Sequence, residues 1–212
     1  MANLGKILIL GDSYSTFEGW IPEGSECYYT KNAKREACPK TVEQTWWHQL
    51  ICETGSELFF NSSYSGTTIS NTGYNGEDCS HKSFIARFDE LCKNGAFSDK
   101  KPDTMIIFGG TNDSWAGSPI GELKYENWTK EDLFSTLPAF GYLLTKVKEV
   151  LPETRVICVL NRELKPEIWG GLKEACEKFK VATVELDPLN IEEGHPTITG
   201  MKEIKDTIKK YL

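Results

Sequence analysis

The run KILILGDSYSTFEG, residues 6–19, places a hydroxyl, a carboxylate and a glycine directly after four apolar residues, Ile7 to Leu10. Four consecutive apolar positions read as a strand covered on both faces. Gly11 permits a sharp turn at the carboxyl end of that strand, where open α/β sheets place their ligands, so Ser13 would stand at the lip of a sheet. Ser13 is therefore a candidate nucleophile, although a Ser/Thr-rich turn after a first strand also suits a phosphate, as in flavodoxin-like cofactor sites. A serine hydroxyl cannot attack an ester unaided; it needs a base, and the chain has three histidines. His48 lies on a helical stretch beside Trp46 and Trp47, where histidine is mostly packing or surface, and His81 opens a helix after a Gly-rich loop. His195, in EEGHP, follows a strand by a short loop and belongs at the same rim as Ser13. An imidazolium at a helix N-terminus is disfavoured by the dipole, so a carboxylate is expected behind it. Glu192 is the first choice, three residues earlier, with Glu193, Asp187 or a backbone carbonyl as alternatives.

Two further strand exits carry donors. Gly66, in NSSYSGTT, offers an N–H that no Cβ shields; Asn112, in GGTND, offers a carboxamide N–H. Donors converging beside a hydroxyl suit ester hydrolysis, because the tetrahedral intermediate concentrates charge on one oxygen. Asp12 and Asp113 read as turn-makers rather than catalysts.

The elements that must hold these residues alternate along the chain. Strands are predicted near 7–10, 57–62, 104–108, 155–160 and 181–186. Helices are predicted over 43–54, with Thr41 as a possible cap, 82–93, 129–151 with a break near Pro138, 166–180 and 197–211. Residues 20–42 form a long aperiodic stretch of the kind that makes a binding loop or lid. Five apolar strands alternating with helices imply an α/β fold: a five-stranded parallel sheet with helices on both faces, a three-layer sandwich.

At 212 residues, 39% hydrophobic and 26% charged, the chain has the size and composition of one ordinary globular domain, residues 1–212. A net charge of -7 with interleaved signs argues against nucleic acid as partner. No apolar run is long enough to suggest a membrane span, and no charged segment with an apolar run opens the chain, so a cytoplasmic location is expected as given, or a secreted or periplasmic one if a leader was removed. Seven cysteines without metal-type spacing read as mostly reduced packing residues, with Cys27 and Cys38 able to pair in an oxidising compartment.

With these residues assembled, the chain resembles the SGNH/GDSL hydrolase superfamily over nearly its whole length. Four motifs stand in that family's order: Gly11-Asp12-Ser13, then Gly66 in NSSYSG, then Gly110-Thr111-Asn112-Asp113, then Glu192-Glu193-Gly194-His195-Pro196. The resemblance implies Ser13 as nucleophile, Gly66 and Asn112 as oxyanion donors, His195 as base, and a flavodoxin-like SGNH fold with no metal or organic cofactor. It departs where the family's Asp before His-Pro is replaced by Glu192, which leaves open a Ser-His-Glu triad or a Ser-His dyad. The family cleaves lipid esters and thioesters as well as acetyl groups on sugars. Trp20, Tyr28, Tyr29, Tyr64 and Trp115 near the site suit stacking on a sugar ring, so the expectation is a short-chain ester, acetyl foremost, on a carbohydrate or other small molecule. The rivals are a non-catalytic carbohydrate-binding protein on a decayed core and a lipid or thioester acylhydrolase.

Overall fold

The computed structural model describes residues 3–212. Five strands form one parallel sheet: β1 (Lys6–Gly11), β2 (Glu57–Ser63), β3 (Thr104–Phe108), β4 (Arg155–Leu160) and β5 (Ala182–Glu185). Their spatial order is β2-β1-β3-β4-β5. The chain thus leaves β1 toward one edge, returns past it to β3 and continues toward the other edge. That reversal puts a topological switch point at the carboxyl end of β1, the place where doubly wound sheets open a crevice for ligand.

The apolar runs explain the layers. Leu8, Met105 and Val156 are register partners across three strands, and with Leu10, Ile107 and Cys158 they pack under α2 (Phe84–Lys93), α4 (Thr136–Val150) and α5 (Pro166–Phe179). Their neighbours Ile9, Ile106 and Ile157 point to the opposite face, against α1 (Trp46–Thr54) and α6 (Ile198–Lys210). Because successive side chains alternate faces, a strand buried on both sides must be apolar at every position. The expected three-layer α/β/α architecture follows from that alone.

Several boundaries differ from the sequence reading. Thr41 caps only a single 3-10 turn, Val42–Gln44, while α1 begins after a second threonine, Thr45, which accepts from the His48 amide. The helix expected over 129–151 begins at Thr136, preceded by a 3-10 turn at Asp132–Phe134. Pro138 therefore falls in the first helical turn, where its missing N–H has no intrahelical partner to lose, and no break results. The stretch after β3, expected as a loop, is a short helix, α3 (Thr111–Ala116). Six residues with one large apolar side chain show no helical period; the turn is made instead by Gly110 at φ 92°, which swings the chain straight from strand to helix. Last, residues 191–196 close a two-residue antiparallel ladder, β6 (Ile191–Glu192) with β7 (His195–Pro196). Among the described residues no helix is long and apolar enough to cross a membrane. All seven cysteines, Cys27 and Cys38 included, are free thiols.

Candidate active site

Ser13 opens a single 3-10 turn, Ser13–Ser15, immediately after β1. Asp12 caps that turn, its Oδ1 accepting from the Tyr14 amide at 3.0 Å. Gly11 has no room for a side chain, because a Cβ there would lie 2.6 Å from Ser63 Oγ and 2.7 Å from Ser15 Cβ, both fully buried. The turn is thus held from below by packing and from the front by a carboxylate. Ser13 Oγ faces His195 Nε2 at 3.0 Å.

The other edge of the imidazole settles its tautomer. Nδ1 lies 3.1 Å from the Glu193 carbonyl oxygen. A carbonyl can only accept, so Nδ1 carries the proton and Nε2 presents a lone pair to the serine hydroxyl. The turn that aims this carbonyl at the ring has Glu193 at φ 48° and Gly194 at φ 76°, both left-handed. Tyrosine hydroxyls hold the carbonyls on either side of His195: Tyr14 donates to Gly194 at 2.7 Å and Tyr29 donates to Pro196 at 2.8 Å. Burial pushes the imidazole below its ordinary value; the Glu193 carbonyl works against that shift, and the Arg35 guanidinium reinforces it.

Glu192 is brought close to His195 but not onto it. The two residues are direct partners in the β6–β7 ladder, yet the atom an acid would occupy belongs to the Glu193 carbonyl. Glu192 Oε2 is buried without a hydrogen-bond partner, an arrangement that is costly for a carboxylate. The backbone alternative for orienting His195 is the one this geometry realises.

Three donors stand at the ends of three neighbouring strands. Among the described residues the amides of Ser13 and Gly66 have no acceptor within the protein. Gly66 adopts φ 76°, and the position of its absent Cβ is open space, so a ligand can approach the backbone closely. Asn112 Nδ2 donates one hydrogen to the Thr67 carbonyl at 3.0 Å and keeps the other free, while its Oδ1 accepts from the Tyr74 hydroxyl at 2.8 Å. Tyr74 therefore fixes which way the carboxamide points. No sequence pattern marked it, since it sits in an isolated 3-10 turn, Tyr74–Gly76.

Buried polar groups brace this rim. Asp113 Oδ2 accepts from the Ile69 amide at 2.8 Å, and its Oδ1 accepts from the Ser70 amide and the Thr136 hydroxyl at 3.3 and 3.1 Å, so it ties α3 to the loop carrying Gly66. Arg87, only 7% exposed, donates to the carbonyls of Ser62, Gly11 and Lys82 and to the Thr67 hydroxyl. Burial lowers its guanidinium to about 9, and burial raises the Asp12 carboxyl to about 7 against the pull of the Tyr14 amide and Arg87. Arg87 lies within the helix predicted over 82–93, where nothing in the sequence distinguishes it from a solvated arginine.

The expected aromatic rim divides. Tyr28 stacks on His195 with centroids 3.5 Å apart, and Trp115, 41% exposed, stands edge-on to it at 6.0 Å. Tyr29 is fully buried, and Trp20 packs over Trp47 and His48 on α1 instead. Tyr64 lines a separate cavity of about 370 Å³ along the outer edge of β2, to which neither Ser13 nor His195 contributes. Neither His48 nor His81 contacts Ser13; His48 meets the exposed Cys52 thiol at 3.6 Å. Among the described residues no group of three His, Cys, Asp or Glu side chains is placed to hold a metal ion.

A doubly wound parallel sheet with Ser13, His195 and free donors at its switch point is an SGNH/GDSL-type hydrolase architecture. The family model for GDSL-like lipase/acylhydrolase matches residues 5–212, and the chain belongs to that family. Among solved structures, a protein from Bacteroides ovatus assigned to the GDSL-like lipases is 42% identical, with 98% of this chain and 97% of that one covered and a TM-score of 0.91. Another from Bacteroides uniformis is 40% identical over 98% and 95% of the two chains, with a TM-score of 0.90. A family two carbohydrate esterase from Clostridium thermocellum, solved in complex with cellohexaose, shares the fold at 15% identity and a TM-score of 0.63, covering 99% of this chain and 64% of that one. No curated protein matches the chain.

Because the Nδ1 partner is a backbone atom, Glu192→Gln is expected to leave kcat on a simple ester within about threefold of wild type, against the ~10⁴-fold loss seen when a true triad acid is neutralised. A loss of two orders of magnitude or more would return Glu192 to the catalytic group.

Proposed function

We propose that this hydrolase is a serine esterase that removes short acyl groups, acetyl foremost, from a carbohydrate or a similar small hydroxylated molecule. The observation that carries the reading is the 3.0 Å contact of Ser13 Oγ with a His195 Nε2 whose tautomer is fixed for accepting a proton, beside unpartnered amides at Ser13 and Gly66. Ser13 is 3% exposed, and Tyr28 and Trp115 crowd its base, which favours a small acyl group over a long chain. The half-exposed rings of Trp115 and Tyr74 at the rim suit stacking on a sugar ring.

In the first half-reaction Ser13 Oγ bonds to the acyl carbon as its proton passes to His195 Nε2. The resulting oxyanion is met by the N–H groups of Ser13 and Gly66 and by the free hydrogen of Asn112 Nδ2. When the ester bond breaks, the imidazolium gives its proton to the departing alkoxide, leaving an acyl-serine. Water then attacks the acyl carbon and its proton goes to His195. Collapse releases the carboxylic acid and returns the proton to Ser13.

A panel of p-nitrophenyl esters of rising acyl length, together with acetylated sugars, tests the reading on wild type and Ser13→Ala. Acetyl esters are expected to turn over fastest, and Ser13→Ala to lose activity by ~10³-fold or more. A preference for long acyl chains would favour a lipid acylhydrolase, and glycan binding without any turnover would favour a non-catalytic binding protein.

The pH dependence has a defined sign. His195 must be neutral to accept the serine proton, and burial lowers its pKa, so kcat/KM rises with pH through an apparent value below the ordinary histidine figure of about 6.5. A rising limb centred above that figure would contradict a buried His195 as base.

A further inference from the structure

In a Ser-His-acid triad the acid orients the imidazole and stabilises the imidazolium that forms. Here the Glu193 carbonyl orients only one edge of the ring, and no carboxylate contacts Nδ1. Hydrogen bonds at Nδ1 and Nε2 still leave the ring free to rock about the line joining those atoms. What covers its face is Tyr28, stacked 3.5 Å away between centroids at an interplanar angle of 9°. Tyr28 belongs to no helix or strand, so something else must hold it. Arg35 does: its Nη1 donates to the Tyr28 hydroxyl and pairs with the Glu193 carboxylate at 2.8 Å, and its guanidinium carbon lies 4.8 Å from the Tyr28 ring centre. One guanidinium thus ties the ring on the face of His195 to the residue whose carbonyl holds its edge. Glu193 sits in a left-handed conformation unusual for a side-chain-bearing residue, so the aim of its carbonyl depends on being held.

We propose that Tyr28, anchored by Arg35, is a positioning residue for His195: the stacked ring confines the imidazole to the plane in which Nδ1 meets Glu193 and Nε2 meets Ser13, and its π face stabilises the imidazolium. The kinetic consequence rests on the esterase reading, whereas the geometry does not. Aromatic faces attract cations, and the stabilisation grows when the pair is desolvated, as His195 partly is. Arg35 would oppose a second positive charge nearby, but the Glu193 carboxylate beside it offsets that repulsion. The remaining rings against His195 are the edges of Trp115 from α3 and of Tyr29, and Tyr14 from the turn after β1, all uncharged. Tyr28, Arg35 and Glu193 together do the work usually given to one Asp.

The full-length chain, with Tyr28→Leu, Tyr28→Phe and Arg35→Gln, provides the test through two readouts. One is kcat and KM with p-nitrophenyl acetate; the other is proton NMR of the His195 ring. In wild type the ring current of Tyr28 is expected to shift the His195 carbon-bound protons upfield, and the Nδ1 proton to be visible because it exchanges slowly. Tyr28→Leu should remove the upfield shift, broaden the Nδ1 proton and lower kcat roughly tenfold, part of the ~10²–10⁴ a positioned base contributes, with KM changed less than about threefold. Tyr28→Phe, which keeps the face, should restore the ring signals and most of kcat. Arg35→Gln, altering a half-buried surface arm, should fall between and carries the same test if Tyr28→Leu does not fold. Wild-type kcat with an intact Nδ1 signal in Tyr28→Leu and Arg35→Gln, or a change in KM alone, would overturn the proposal. Absence of ester turnover in wild type would remove the esterase reading, and the NMR comparison alone would then decide the clamp.

Discussion

The arrangement of this molecule depends on a single hydrogen-bonded contact between residues 182 positions apart, Ser13 Oγ and His195 Nε2. Neither residue can be moved far by its own element. Ser13 rides on a turn whose preceding glycine has no space behind it and whose Asp12 cap is buried. His195 rides on a two-residue ladder whose flanking carbonyls are held by Tyr14 and Tyr29. The parallel sheet brings the two ends together because β1 lies at the switch point of its strand order. A 3 Å contact assembled from opposite ends of a chain requires that every intervening layer pack in one way.

Charge is handled with the same economy. The rim holds Asp12, Asp113 and Arg87, all buried, yet none of the three forms a direct ion pair with another. Each is satisfied by backbone amides, carbonyls and hydroxyls. Such groups are expensive to bury and more expensive to leave half-satisfied, so they specify one arrangement of the loops after β1, β2 and β3. Arg87 meets the carbonyls that end β1 and β2; Asp113 meets the amides just beyond Gly66. The free donors at Ser13, Gly66 and Asn112 are thereby held in place without any ligand, the preorganisation that the proposed esterase chemistry calls for.

How much of this could be read beforehand varied with how local the signal was. The central strands are legible because doubly covered strands are uninterrupted apolar runs, and Ser13 and Asn112 because each follows such a run at a glycine-bearing exit; Gly66 follows the shorter, half-exposed edge strand β2 and is marked by its polar, glycine-containing exit. His195 was legible by elimination among three histidines. Its partner is left open by the sequence between Glu192, other acids and a backbone carbonyl: a carbonyl has no residue type to mark it, and the Glu192 spacing favours a carboxylate that the ladder leaves beside the ring without a bond. Tyr74 meets Asn112, Arg87 meets Gly11 and Arg35 meets Glu193 across long sequence separations, with no period or motif to mark them. Thr129 and its acidic followers look like the cap of α4, whereas they build a separate turn ahead of it. Tyr28 is legible as an aromatic ring near the site, but its place on the imidazole is a property of the folded loop.

Esterase chemistry at Ser13 requires a covalent acyl-serine. Rapid quenching of the protein with p-nitrophenyl acetate, followed by intact-mass and peptide-level mass spectrometry, measures it directly. The expected result is a transient gain of one acetyl group, located on the peptide containing Ser13, formed with a burst of nitrophenol and absent from Ser13→Ala. Turnover with no adduct, or an adduct on another residue that persists in Ser13→Ala, would contradict it.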